Sequence, residues 1–124
     1  MTEKLMDLLQ EMAGEVDGLQ AICVAGADGE PIAYYAPPGS RWNMELSAAQ
    51  LAQLLKLART SVDKMHAGEL EDALLTTSES YVLTKSLTGN SFWLGMATSR
   101  DAVLGMVRLI AKTYIGRLSE AIPK

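Results

Sequence analysis

The sequence predicts a single mixed α/β (α+β) domain built around an antiparallel sheet, and three observations carry that prediction. The chain has 124 residues and a mass of 13.4 kDa, a length that suits one domain, 1–124, and not two. The run from Leu19 to Ala25 is apolar on both alternating faces, so a strand there needs cover on each side. In the second half, strand-like stretches are separated by connections as short as Ser78-Glu79-Ser80 and Thr88-Gly89-Asn90, and such short links join antiparallel neighbours.

Each element follows from its local pattern. Leu5, Leu8, Leu9, Met12 and Val16 recur at helical spacing with Glu3, Asp7 and Glu11 between them, which predicts an amphipathic helix over 3–14 with acids in its first turn. Asp17-Gly18 ends it. In the strand over 19–26, Leu19, Ala21, Cys23 and Ala25 share one face, Ile22 and Val24 the other; two apolar faces predict a central place in the sheet. Asp28-Gly29 supplies a tight hairpin turn, and Pro31 at the start of the return strand, 31–36, predicts an edge or near-edge position. Pro37-Pro38-Gly39-Ser40 reads as a loop. A long helix over 44–66 follows, with Asn43 as its N-cap and Gly68 as its left-handed terminator. Strands are expected over 70–78, 80–87 and 91–98. A last helix starts near Ser99-Arg100-Asp101 and carries Val103, Val107, Ile110, Tyr114 and Leu118 on one face, with Pro123 just past its end. The order is α-β-β-α-β-β-β-α.

The middle helix has two apolar faces. At 100° per residue, Met44, Ala48, Leu51, Leu54, Leu55, Ala58, Val62 and Met65 form a broad stripe expected against the sheet. Leu46, Ala49, Gln53 and Leu57 fall near the opposite side, and residues 44–58 hold only two charges, Glu45 and Lys56. A second stripe so poor in charge predicts cover by another chain. The strand over 70–78, in which Leu70, Asp72, Leu74, Thr76 and Ser78 alternate with Glu71, Ala73, Leu75 and Thr77, is the most polar of the set and reads as an edge, and edges are either protected or paired. A homodimer that joins Leu70, Asp72, Leu74 and Thr76 to their copies and packs the middle helix on itself satisfies both features.

Composition excludes several functions. With 11 Lys and Arg against 15 Asp and Glu, the net charge is -4, which argues against nucleic-acid binding and suits a partner with a basic patch. No run reaches 18 apolar residues and the start lacks a basic, apolar leader, so the expectation is a cytoplasmic protein without membrane insertion. The one cysteine, Cys23, lies in an apolar run and reads as a small buried hydrophobe. The one histidine, His66, stands at a helix end with no nucleophile at motif spacing. One His and one Cys cannot build a structural zinc site, and neither GxxxxGK[ST] nor GxGxxG occurs. No cofactor, metal or catalytic residue is expected. Glu69, Glu71 and Asp72 read as a solvated strand start. Arg41 and Trp42, in the loop before the middle helix, form either a binding tip or, for Trp42, a plug on the end of the core.

The order of elements, the length, the Asp28-Gly29 turn and the segment Leu104-Gly105-Met106-Val107-Arg108 resemble the Roadblock/dynein light-chain family. So do Tyr81-Val82-Leu83-Thr84-Lys85-Ser86-Leu87 and, after a Gly-containing turn, Phe92-Trp93-Leu94-Gly95-Met96-Ala97. Gly105 inside a helix costs about 1 kcal/mol relative to Ala, which predicts a close approach of helix to sheet there. The resemblance implies a profilin-like architecture: a five-stranded antiparallel sheet between the middle helix on one face and the two terminal helices on the other. It also implies dimers that join sheets and pair middle helices, and, in stand-alone bacterial or archaeal members, regulation of a small Ras-like GTPase, in some cases as GTPase-activating proteins. The expected partner surface is Arg41, Trp42, Leu46, Ala49, Gln50, Gln53 and Leu57. The Pro37–Trp42 loop is longer than the family's usual connection. The alternative is a dimeric scaffold for another signalling complex with no effect on nucleotide hydrolysis.

Overall fold

In a computed structural model, residues 2–123 form helix α1 (Glu3–Glu15), strands β1 (Leu19–Gly26) and β2 (Pro31–Tyr35), and helix α2 (Met44–Lys64). Strands β3 (Asp72–Thr76), β4 (Ser80–Leu87) and β5 (Phe92–Ser99) and helix α3 (Leu104–Ala121) complete the chain, with a short 3₁₀ turn over Thr88–Asn90. The five strands make one antiparallel sheet in the order β2-β1-β5-β4-β3. The expected strand over 70–78 shortens to β3, because Leu70 and Glu71 leave the ladder and give their carbonyls to Ser86 instead. Both expected edges, β2 and β3, are edges. The middle of the sheet is β5, not β1: both strands are buried on both faces, so local pattern cannot rank them, and the pairing of β4 with β5 decides it.

The alternation in β1 sorts side chains into two cores. Ile22 and Val24 point with Leu83, Leu94 and Met96 into a large core closed by α1 and α3, through Leu5, Leu9, Met12, Val107, Tyr114 and Leu118. Ala21, Cys23 and Ala25 point the other way, to a thinner core under α2 with Met44, Ala48, Ala52, Leu55 and Trp93. This second layer is made mostly of small residues, so α2 rides close to the sheet. Trp93 fills it and donates its indole N–H to the carbonyl of Gly26 at 3.0 Å, satisfying the one polar atom its burial would otherwise strand.

Several local expectations change. The glycine of close approach is Gly29, not Gly105. At Gly29 the backbone takes φ +91, and an added Cβ would stand 3.0 Å from Ala49 Cα and 3.1 Å from Ala52 Cβ; at Gly105 nothing lies within 4 Å. Gly105 sits in the exposed first turn of α3, whereas the β1–β2 turn is wedged against α2. Helix α3 also begins later than expected. Residues 99–102 close a turn through the 3.2 Å bond from the Ala102 N–H to the Ser99 carbonyl, which leaves Val103 in extended geometry before the helix and 68% exposed. At the end of α2 the left-handed residue nearest the helix is His66, with φ 55, and Gly68 follows with φ 93.

Candidate protein-docking face

Asn43 caps α2 as expected, its side-chain oxygen accepting the Leu46 N–H at 3.1 Å. The cap fixes the helix rotation, and burial then reports which side meets the sheet. Met44, Ala48, Ala52 and Leu55 are buried, with Leu51, Ala58 and Val62 partly so. Leu54 and Met65, expected on that stripe, leave it. Leu54 is 37% exposed because it stands a full 100° around from Leu55; Met65 is 65% exposed because the helix has already ended at Lys64. The inner stripe is therefore narrow, and Ala52 takes the place expected of Leu54.

The outer face is apolar and open. Leu46 is 58% and Leu57 65% exposed, with Ala49, Gln50 and Gln53 exposed between them. Such large side chains in water along one helix, joined by Leu54, form a continuous strip rather than scattered single residues. Helix α2 packs over β1 and β2; the other edge of the sheet is β3, whose inner side pairs with β4 from Asp72↔Lys85 to Thr76↔Tyr81 and whose outer side carries no strand among the described residues. Within β3, Leu74 packs against the larger core, Asp72 meets the Arg108 guanidinium at 3.4 Å, and Thr76 is exposed; Leu70, just outside the strand, packs under α2.

The loop at the start of α2 is anchored from below. Gln20 on β1 organises it: the Ser40 hydroxyl donates to the Gln20 carbonyl at 2.8 Å and the Trp42 indole N–H to the Gln20 side-chain oxygen at 3.2 Å. Ser80 donates to that same oxygen at 2.8 Å. Trp42 is half-buried against the core under α2, while Arg41 beside it projects into solvent. The structure thus brings Leu46, Ala49, Gln50, Gln53 and Leu57 onto one open face and sets Arg41 near its N-terminal end.

Sequence reasoning passed over Arg59. It follows Leu55 by one helical turn, so it lies at the margin of the buried stripe, and its Nε and Nη2 are buried without an acceptor among the described residues. An arginine at helical spacing from a core leucine is the signal that could have found it. Other chemistry is sparse. Among the described residues no three of His, Cys, Asp and Glu are placed to hold a metal ion. Burial pushes the Cys23 thiol up to about 12, far from a reactive thiolate. No helix of the described residues is long and apolar enough to cross a membrane.

The sequence profile described as the Roadblock/LC7 domain matches residues 5–95. The chain belongs to the Roadblock/LC7 family. That match takes in everything from α1 to the middle of β5, including the whole docking face. Likeness among solved structures extends through α3. The gliding protein MglB from Thermus thermophilus superimposes with a TM-score of 0.86 at 15% identity, covering 97% of this chain and 89% of that one. MglB in a tetrameric arrangement gives 0.87 at 15% identity over 97% and 88%, and profilin II from Acanthamoeba castellanii gives 0.63 at 15% identity over 97% and 98%. At these identities the likeness is one of fold, and it fixes the architecture as profilin-like. No curated protein matches the Roadblock/LC7 chain by sequence.

Proposed function

We propose that this chain is a homodimeric, non-catalytic cytoplasmic regulator or adaptor of a small Ras-like GTPase. The observation that carries the reading is the open apolar strip of α2, Leu46 to Leu57, together with a β3 edge that carries no further strand among the described residues. A helix face of this kind costs solubility unless another chain covers it, and an edge strand left open invites pairing with its copy. Family membership supports a role in protein assembly. The GTPase as partner rests on the Roadblock resemblance, and the likeness to MglB, a gliding protein, supports the same direction.

A regulator without catalytic groups accelerates hydrolysis by favouring the active arrangement of the GTPase's own residues. About 3 kcal/mol of preference for that arrangement gives a roughly hundredfold effect. The test is GTP hydrolysis by the Ras-like GTPase of the same organism, with and without this protein, alongside a binding measurement. Stimulation supports the regulator; binding with unchanged hydrolysis supports the scaffold; no binding removes the GTPase. Arg41 is the exposed cation of the docking loop, so Arg41→Ala tests whether an arginine is supplied to the GTPase. Stimulation persisting in Arg41→Ala is the expected result, and its loss with binding intact would make Arg41 a finger.

A further inference from the structure

We infer that the cleft between the end of α1 and the start of α3 is a docking site for a short segment of another protein, one that brings an apolar anchor flanked by Lys or Arg. It lies on the face of the sheet opposite α2 and goes beyond the α2 strip on which the regulator reading rests.

The first ground is that α1 is too short to cover α3. The two helices pack antiparallel, with Arg117 on Glu11 and the Tyr114 hydroxyl on Glu15. Glu15 is the last residue of α1, and the chain then turns at Asp17-Gly18 into β1. Met106 stands eight residues before Tyr114, about 12 Å of helix rise. The first turns of α3 therefore run on past the end of α1 with no helix beside them among the described residues. Val103, Met106 and Leu109 are left 68%, 53% and 55% exposed, and Met106 and Leu109 are surface neighbours at i, i+3. Val103 and Met106 wall an open cleft of about 190 Å³ whose floor includes Val107 and Ile110. Such an apolar hollow takes an inserted side chain as anchor.

The second ground is charge. Glu15, Asp17 and Asp101 line the same cleft, and all three are exposed. Asp101 precedes α3, near the positive end of that helix. Glu15 and Asp17 instead stand at the C-terminal end of α1, where the helix dipole is itself negative, and the last turn of α1 holds no basic residue. The ion pairs among the described residues are Arg108 with Asp72 and Arg117 with Glu11, and none of the three carboxylates takes part. Arg100, next to Asp101 in sequence, is held elsewhere: it donates to the Thr77 carbonyl at 2.5 Å and lies over the Tyr81 ring at 5.0 Å. No Lys or Arg lines the cleft. An apolar floor under a negative rim is complementary to an apolar anchor with cations beside it. The same rim repels nucleic acid and anionic lipid, and a second copy, at a net charge of -4, brings the wrong sign.

The test uses the full chain and a synthetic probe. A fluorescein-labelled peptide of about 14 residues, roughly four helical turns, carries leucine at helical spacing and lysine elsewhere; its control carries glutamate for lysine. Fluorescence anisotropy at physiological salt gives Kd, and amide shifts of the isotope-labelled protein locate the contact. The lysine peptide is expected to bind at least about tenfold tighter than its control, with shifts centred on residues 15–18 and 101–110. Met106→Ser should weaken that binding at least about fivefold, and Asp17→Lys at least about tenfold. Both positions are exposed, and circular dichroism checks that the variants fold; should either fail, the contrast between peptides and the shift map decide alone. Equal binding of the two peptides, binding of neither, or shifts centred on the α2 strip overturns the site. So does a sedimenting mass that falls in Met106→Ser without peptide, since the occupant would then be a second copy. Peptide binding is read without a GTPase, so this inference and the regulator reading fail separately.

Discussion

Two glycines separate what a residue type suggests from what its surroundings demand. Gly29 combines a left-handed backbone with surroundings that would put an added Cβ 3.0 Å from Ala49 Cα and 3.1 Å from Ala52 Cβ. Gly29→Ala is expected to lose about 2–4 kcal/mol, part from the strained φ and part from forcing the β1–β2 turn off α2. Gly105 has neither constraint, and nothing lies within 4 Å of its added Cβ. Gly105→Ala should be neutral or gain up to about 1 kcal/mol by removing backbone freedom from the unfolded chain. Urea midpoints of the two variants check both signs, and a Gly105→Ala loss comparable to that of Gly29→Ala would put a hidden contact on α3. The sequence showed a hairpin glycine and a helical glycine. It could not show which one another element presses against, because that depends on where α2 lands on the sheet.

Among elements, α1 and α3 are tied by a polar clasp over their shared core. The Tyr114 hydroxyl donates to Glu11 Oε2 at 2.5 Å and also lies against the Glu15 carboxylate, while Arg117 meets Glu11 at 3.0 Å. One phenol proton can serve one carboxylate at a time. Arg117 first, then Tyr114, hold the Glu11 carboxyl below its ordinary value of 4.5, and the two carboxylates hold the Tyr114 phenol protonated well above its ordinary range. A group whose pKa is lower folded than unfolded adds stability above its unfolded value and loses it as pH falls through the folded one. Stability should therefore fall as pH drops below about 4.5, and Glu11→Gln should lose stability at neutral pH and converge with the unaltered protein in acid, which flattens part of that slope. Denaturant midpoints between about pH 3 and pH 7 check it; an unchanged slope would show that Glu11 is not held. The element order itself was legible, since each segment carries its own period and terminator: Leu5 to Val16 at helical spacing, Asn43 as cap, Asp28-Gly29 as turn. What escaped was relational. β1 and β5 are equally apolar, so the centre of the sheet could not be read from either, and Leu54 and Leu55 differ by one position while occupying opposite environments. Arg59 offered only its helical spacing from Leu55 as a signal; it gains meaning from the burial of its guanidinium.

At the scale of the whole molecule the question is why a folded domain would leave its α2 strip in water. Each chain carries a net charge of -4, so two copies repel weakly, and at physiological salt that repulsion fades beyond about 8 Å. Association needs a local apolar seam to overcome it and to reach the roughly 1,600 Å² typical of specific interfaces. Leu57 and Leu55 separate the seam from the core, since they sit two residues apart on opposite sides of one helix. Leu57 is largely exposed and Leu55 is buried under α2. In Leu57→Glu the carboxylate stays hydrated in the isolated protomer and is desolvated only in a dimer, so the variant should keep its circular dichroism and sediment at 13.4 kDa. Leu55→Glu puts a carboxylate into the apolar small-residue layer between α2 and the sheet, a desolvation cost that Arg59 one helical turn on offsets only in part, and should lose the folded state. Both measurements are made on both variants at tens of micromolar. If Leu57→Glu still dimerises, the strip is not the seam and the second copy must bind elsewhere; if it unfolds like Leu55→Glu, the outer face of α2 is part of the core after all.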